Sequence, residues 1–199
     1  MALMTYTAVD GYSISSGSVI ATLMADTASE MVTDRIGNSP LKTLTANGSI
    51  TTSAVASNSS TLAASGFSAA NYYSLAYDSA LDPGTSGLSI KIWFKSPGVS
   101  TVETFISRMA STSPIGPYYV MQLTNTGKAA MYINDGSLTR SCTTDSDYDD
   151  DTWHQFIALI TSTYIYNYID GDLVKTSTFA ALNSLSNASA VLNKLRVLP

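Results

Sequence analysis

One histidine, His154, and one cysteine, Cys142, bound the side-chain chemistry open to this chain of 199 residues. A single His leaves one candidate base for any Ser-His-Asp arrangement, and no Ser or Cys nucleophile stands in a recognisable motif. His154 is therefore read as a strand-start residue that orders its turn. A single Cys forms no intrachain disulfide and supplies no cysteine-based zinc site. Cleaving a glycosidic bond needs two carboxylates flanking it, one raised in pKa to act as an acid. The two glutamates, Glu30 and Glu103, are isolated from each other, and Asp149, Asp150 and Asp151 are consecutive. Consecutive carboxylates in a turn are solvated and point in different directions. Asp145, Asp147 and Asp149 have the spacing of alternating oxygen ligands. They lack the Gly and the closing Glu of an EF-hand loop, and a solvated turn is the favoured reading.

Aromatic residues offer more. The chain has 12 Tyr, 5 Phe and 2 Trp. Tyr164, Tyr166 and Tyr168 alternate, which puts them on one face of a strand, and Trp93, Tyr118 and Tyr119 are further candidates. A sugar stacks on such rings because its C–H groups meet the negative ring face while its hydroxyls hydrogen-bond at the rim. Alternate tyrosines equally serve cross-strand pairing or contact with a neighbouring subunit.

These rings need a scaffold, and the composition describes it. Ser (30) and Thr (24) are abundant, while charged residues are only 13% and the net charge is −5. There are 6 Lys and 2 Glu, too few for exposed helical surfaces. Thr, Tyr, Val and Ile suit pleated surfaces. The negative balance excludes a sequence-independent nucleic-acid binder, which needs basic residues to displace counterions. No apolar run approaches the ~20 residues that span a bilayer, so membrane insertion is not expected. The N-terminus, Met-Ala-Leu-Met-Thr-Tyr, lacks the basic and apolar regions of a secretory signal.

Turn signals divide the chain into ten to twelve short strands. Leu88–Lys95 alternates cleanly, with Leu88, Ile90, Ile92 and Phe94 on one parity and Ser89, Lys91, Trp93 and Lys95 on the other. Strands are expected at Leu41–Leu44, Ser49–Val55, Asn71–Tyr77, Thr104–Met109, Tyr118–Thr124, Ala129–Asn134, Trp153–Thr161, Tyr164–Ile169, Leu173–Thr178 and Leu192–Leu198. Asn125-Thr-Gly127, Asp135-Gly136 and Asp170-Gly171 are hairpin signals. Residues 56–70 read as a loop or weak edge strand, the acidic run 145–151 as a solvated loop, and 180–190 as a loose connection with room for a helical turn. Many short strands without an amphipathic helix indicate an all-β sandwich or barrel. Residues 1–17 read as an N-terminal arm and 18–199 as the sandwich.

The stretches Asp150-Asp-Thr-Trp-His-Gln-Phe-Ile-Ala-Leu159 and Tyr164-Ile-Tyr-Asn-Tyr-Ile-Asp-Gly-Asp-Leu-Val174 resemble laminin-G-like members of the concanavalin A-like lectin/glucanase superfamily. Leu88–Lys95 is similar to that family's Trp-bearing strand, Thr104-Phe-Ile-Ser-Arg108 to the strand after it, and Tyr118 to Asn134 to the next hairpin. Asp34-Arg-Ile-Gly-Asn38 resembles an early family turn. The resemblance implies a jelly-roll sandwich of two antiparallel sheets. It also implies a calcium ligand at Asp34, with Asn38 as companion, because some members bind calcium near that turn. Hydrolytic relatives carry a Glu-x-Asp-x-x-Glu strand that this chain lacks. Many members end in a further strand, absent before Pro199, which implies an edge left open, an edge filled by a neighbouring subunit, or an incomplete sequence. Asn167 lies between Ile165 and Ile169 on the inward parity and is expected to bond locally or to mark a bulge.

Together these readings point to a non-enzymatic phage virion protein, either a capsid decoration or a tail-fibre or appendage module. Its expected partners are other virion proteins, copies of itself and cell-surface glycans. The alternative is a secreted or surface-attached bacterial carbohydrate-binding module cut from a longer chain.

Overall fold

The computed structural model describes residues 43–54, 62–77, 82–85, 87–110, 116–187 and 190–197. The expected N-terminal arm, the Asp34 turn and Asn38 lie outside these residues. Thirteen strands are present, and no helix occurs among the described residues. They are β1 (Thr45–Asn47), β2 (Thr51–Ala54), β3 (Leu62–Ser65), β4 (Tyr72–Leu75), β5 (Leu88–Phe94), β6 (Glu103–Ala110) and β7 (Tyr118–Leu123). Then follow β8 (Lys128–Asn134), β9 (Thr139–Asp147), β10 (His154–Ile160), β11 (Tyr164–Ile169), β12 (Asp172–Thr178) and β13 (Ala190–Val197).

Two antiparallel sheets stack as a sandwich. One has seven strands in the order β1-β4-β13-β6-β7-β8-β9, and the other has four in the order β12-β11-β10-β5. A separate hairpin joins β2 and β3. The sandwich follows from alternation. Ile90, Ile92 and Phe94 of β5, Phe156, Ala158 and Ile160 of β10, and Ile165 and Ile169 of β11 are all buried. They meet Ile106, Met121, Leu123, Met131 and Ile133 from the larger sheet in one core. A smaller cluster of Leu44, Ala64 and Tyr73, with Phe67 edge-on to Tyr73 at 5.8 Å, seats the β2–β3 hairpin.

Hairpin chemistry is as the sequence implies. Asp170 and Gly171 both adopt positive φ, 54° and 97°, and form the two-residue loop that joins β11 to β12. Two positive φ angles match the right-handed twist of the flanking strands. Gly87, at φ 89°, precedes β5 where a Cβ would run into the Ile160 carbonyl, so only glycine lets β5 begin against β10.

Two segments differ from expectation, and a third takes one of its two expected forms. The acidic run is not all loop, because β9 continues through Asp147. Asp145 pairs with Lys175 of β12 at 2.8 and 2.9 Å, tying the edges of the two sheets together. Residues 62–65, read as a loop or weak edge, form β3. Residues 180–187 contain no helical turn. They form a strap that buries Leu182 and Leu185 in the core.

Asp135 pins this strap. Its Oδ1 accepts from the amides of Ser137 and Leu138 at 3.0 and 3.1 Å. Its Oδ2 accepts from the Asn183 amide at 3.1 Å and pairs with Arg140 at 2.9 Å. Desolvation pushes the buried carboxyl upward, but those amides and the Arg140 charge outweigh it and hold its pKa below the usual value. A lowered folded pKa means stability present above the ordinary carboxylate range and lost as pH falls through the lowered value. Asp135→Asn keeps one acceptor for the turn but sets an NH2 group against Arg140 and the Asn183 amide. It is expected to cost about 1–3 kcal/mol near neutral pH. Urea titrations should show the gap to wild type closing in acid. A gap independent of pH would reject the ionic role.

Candidate functional site

The outer face of the four-stranded sheet is read directly from strand register. The residues that alternate with the core are Ser89, Lys91 and Trp93 on β5; Gln155, Ile157 and Leu159 on β10; Tyr164, Tyr166 and Tyr168 on β11; and Leu173, Thr176 and Thr178 on β12. They form rows across the sheet. Lys91 lies opposite Ile157, Ile157 opposite Tyr168, and Tyr168 opposite Leu173. Ser89, Leu159, Tyr166 and Thr176 form the neighbouring row, and Trp93 lies opposite Gln155.

Trp93, Tyr164 and Leu173 are 36%, 39% and 52% exposed, large values for apolar side chains. Tyr166 and Tyr168 are half-buried. The Tyr164 and Tyr166 rings stack at 5.5 Å and 22°, so a flat aromatic surface already exists. Four of the six sequence candidates therefore share one face. Tyr118 lies on β7 of the other sheet, half-buried, with its hydroxyl 3.3 Å from Thr139 Oγ1. Tyr119 takes the opposite parity. It is 5% exposed and part of the core, so it presents no ring to solvent.

A bulge supports the face. Between Asn167 and Tyr168 the pairing with β12 slips by one residue, leaving Val174 without a partner. Asn167 itself is fully buried. Of its two expected roles, a local bond or a bulge, it takes the bulge, and its bond is long-range: Nδ2 donates to the Cys142 carbonyl of the opposite sheet at 2.8 Å. Asn167 thus ties the aromatic strand to β9.

The polar candidates gather elsewhere and in structural roles. His154 Nδ1 meets Asp170 Oδ2 at 2.7 Å, and Nε2 lies 3.0 Å from Thr152 Oγ1 and 3.1 Å from Asp150 Oδ1. The ring closes the turn before β10 against the β11–β12 turn, where Asp170 also receives the Gln155 amide at 2.7 Å. Hydrogen bonds from the Thr152 hydroxyl and amide, with His154 adding to them, hold the Asp150 carboxyl at about 2. Cys142 is buried, and desolvation pushes its thiol up to about 11, far from a thiolate at neutral pH. Burial raises the Glu103 carboxyl on β6, in the sheet opposite the aromatic face. Asp149, of the acidic run, accepts the Val99 amide at 2.8 Å. Among the described residues no three His, Cys, Asp or Glu side chains gather to hold a metal ion. Asp34 and Asn38, the calcium candidates, lie outside the described residues.

Ile157, Leu159, Leu173 and Lys91 complete the face, and sequence reading did not assign them to it. The signal was available for Lys91, which shares the parity of Trp93.

Comparison with known proteins places this arrangement. The laminin G model described as the concanavalin A-like lectin/glucanases superfamily matches residues 65–193. No curated protein matches significantly. Among solved structures, the binding domain of Paraclostridial Mosquitocidal Protein 1 is similar at TM-score 0.60 and 12% identity, over 76% of this chain and 39% of that one. The botulinum neurotoxin serotype C1 binding domain is similar at TM-score 0.56 and 11% identity, over 86% and 42%. The LG1-3 region of the laminin alpha2 chain follows at TM-score 0.50 and 13% identity, over 64% and 25%. The chain thus spans less than half the length of each. Identities this low speak to fold alone. The family match reaches from the end of β3 into β13 and takes in the whole four-stranded sheet, so the chain belongs to the concanavalin A-like lectin/glucanases superfamily.

Proposed function

We propose that this chain is a non-enzymatic adhesion module that binds glycans on the outer face of its four-stranded sheet. The observation that carries the reading is the gathering of Trp93, Tyr164, Tyr166 and Tyr168 on one face, set by the pairing of β5, β10 and β11. Rings separated by polar Ser89, Gln155 and Thr176 offer stacking surfaces with hydrogen-bonding groups between them. The similar toxin chains are named as binding domains, which fits a recognition role. The buried thiol and the structural use of His154 favour recognition over catalysis.

Trp93→Ala and Tyr166→Ala should each weaken glycan binding by about tenfold or more, as loss of one stacking ring implies. Both residues face away from the core, so the melting temperature should change little. A glycan array probed with wild type and both variants reads this out. Binding unaltered in both variants, or no glycan bound by wild type, would reject the reading.

We assign the module to a phage virion, as capsid decoration or tail appendage, on the strength of its Ser/Thr-rich, charge-poor composition. Co-purification with intact particles tests this. One observation favours a second setting: this chain spans less than half of each similar toxin and laminin chain, as expected if the sandwich is one module of a longer secreted or surface-attached bacterial protein. Absence from particles together with retained glycan binding would select that setting.

A further inference from the structure

The net charge of −5 means that carboxylates outnumber cations, and the structure uses its cations accordingly. Lys95 pairs with Asp151 at 3.1 Å, Arg108 with Asp82, Arg140 with Asp135 and Lys175 with Asp145. Lys128 donates to the Asp145 carbonyl at 2.6 Å. Lys91 is different: it has no ion pair among the described residues. It stands at the middle of β5 between Ser89 and Trp93, on the aromatic face, half-buried. No Asp or Glu shares that face on β5, β10, β11 or β12. Its row, Lys91, Ile157, Tyr168 and Leu173, is otherwise apolar or aromatic.

We infer that the face selects an acidic glycan and that Lys91 receives its anionic group, a carboxylate or a sulfate. The inference rests on the glycan reading above and narrows it to a substrate class. An ammonium on a face that carries no carboxylate attracts a ligand anion, and the ring surfaces beside it strengthen that attraction by excluding water. The surrounding rings supply affinity that does not depend on charge. Lys91 supplies the difference between an acidic sugar and its neutral counterpart, and specificity is such a difference. The surplus of carboxylates disfavours anion capture away from this face among the described residues.

The test is an array of neutral oligosaccharides printed beside their sialylated and sulfated forms, probed with the full chain. Wild type should prefer acidic members about tenfold, the scale of a hydrogen bond to a charged group. Lys91→Gln should bring that ratio close to one, and Lys91→Arg should restore it. Preference for the sialylated or for the sulfated set identifies the anion, and either supports the inference. Equal wild-type binding to acidic and neutral forms would overturn it and leave the glycan face standing. A preference that survives Lys91→Gln would overturn the role of Lys91. No binding to any saccharide would remove the glycan reading itself. So would sedimentation showing that wild type self-associates through this face and that Trp93→Ala dissociates it.

Discussion

Arg108→Ala is expected to destabilise the fold by about 3–5 kcal/mol, the cost of breaking a buried ion pair from one side. Arg108 is 1% exposed although it carries a permanent charge. It pairs with Asp82, donates to the Leu185 carbonyl at 3.4 Å and the Asn187 carbonyl at 3.3 Å, and lies over the Tyr77 ring at 5.7 Å. One side chain therefore holds β6, the loop before β5 and the strap. Alanine leaves the Asp82 carboxylate facing a void and strips two carbonyls of their donor. Tyr77 still donates to Asp82 Oδ2 at 3.0 Å, which softens the loss without replacing the charge. The pair need not be more stabilising than a hydrophobic substitute. Arg108→Met with Asp82→Leu should therefore lose less than Arg108→Ala alone. Urea unfolding of the three proteins decides it. Equal stability of Arg108→Ala and wild type would mean that the pair is not formed in solution.

This residue also shows where the sequence stops being readable. Thr104-Phe-Ile-Ser-Arg108 looks like a strand with a charge at its end, and nothing local says that the charge points inward. Its partners lie 26 residues earlier and 77 and 79 residues later. The strap was illegible for the same reason: Asp135, 48 residues away, fixes it rather than any local periodicity. Strand β9 carries no alternating signal, because only Cys142 and Thr144 of its inward positions are buried and its outward positions are polar. An edge strand needs less apolar surface than a central one. By contrast β5 and β11 were legible, since each buries every second residue and leaves its other face to water.

The aromatic face was half legible. Alternation put the three tyrosines of β11 together and Trp93 outward. That Trp93 joins them depends on β5 pairing with β10, more than 50 residues on, rather than with its neighbours in sequence. Tyr118 and Tyr119 could not be told apart, because β7 buries Tyr119, Val120, Met121 and Leu123 alike. A strand apolar on both faces gives no parity signal.

Parity itself is open to a decisive comparison on β10. Phe156 is fully buried, with Ile92 and Ile169 as its cross-strand partners, both in the core. Phe156→Ala is expected to cost about 3–5 kcal/mol, combining lost transfer energy with a cavity that rigid neighbours on two sheets cannot close. For a domain of this size that lowers the melting temperature by roughly 10 °C. Leu159, three residues on, has the opposite parity. It is half-buried on the outer face between Ser89 and Tyr166. Leu159→Ala should cost only about 1 kcal/mol, since it opens no cavity between the sheets. The same two variants should separate in binding, with Leu159→Ala loosening the floor beneath Tyr166 and Phe156→Ala leaving ligand affinity intact below its melting point. Because a one-residue slip exchanges the two faces of a strand, the reverse order of stabilities would place the tyrosines in the core and Ile165 and Ile169 in water. The glycan face, the role of Lys91 and the two-layer core would then fall together.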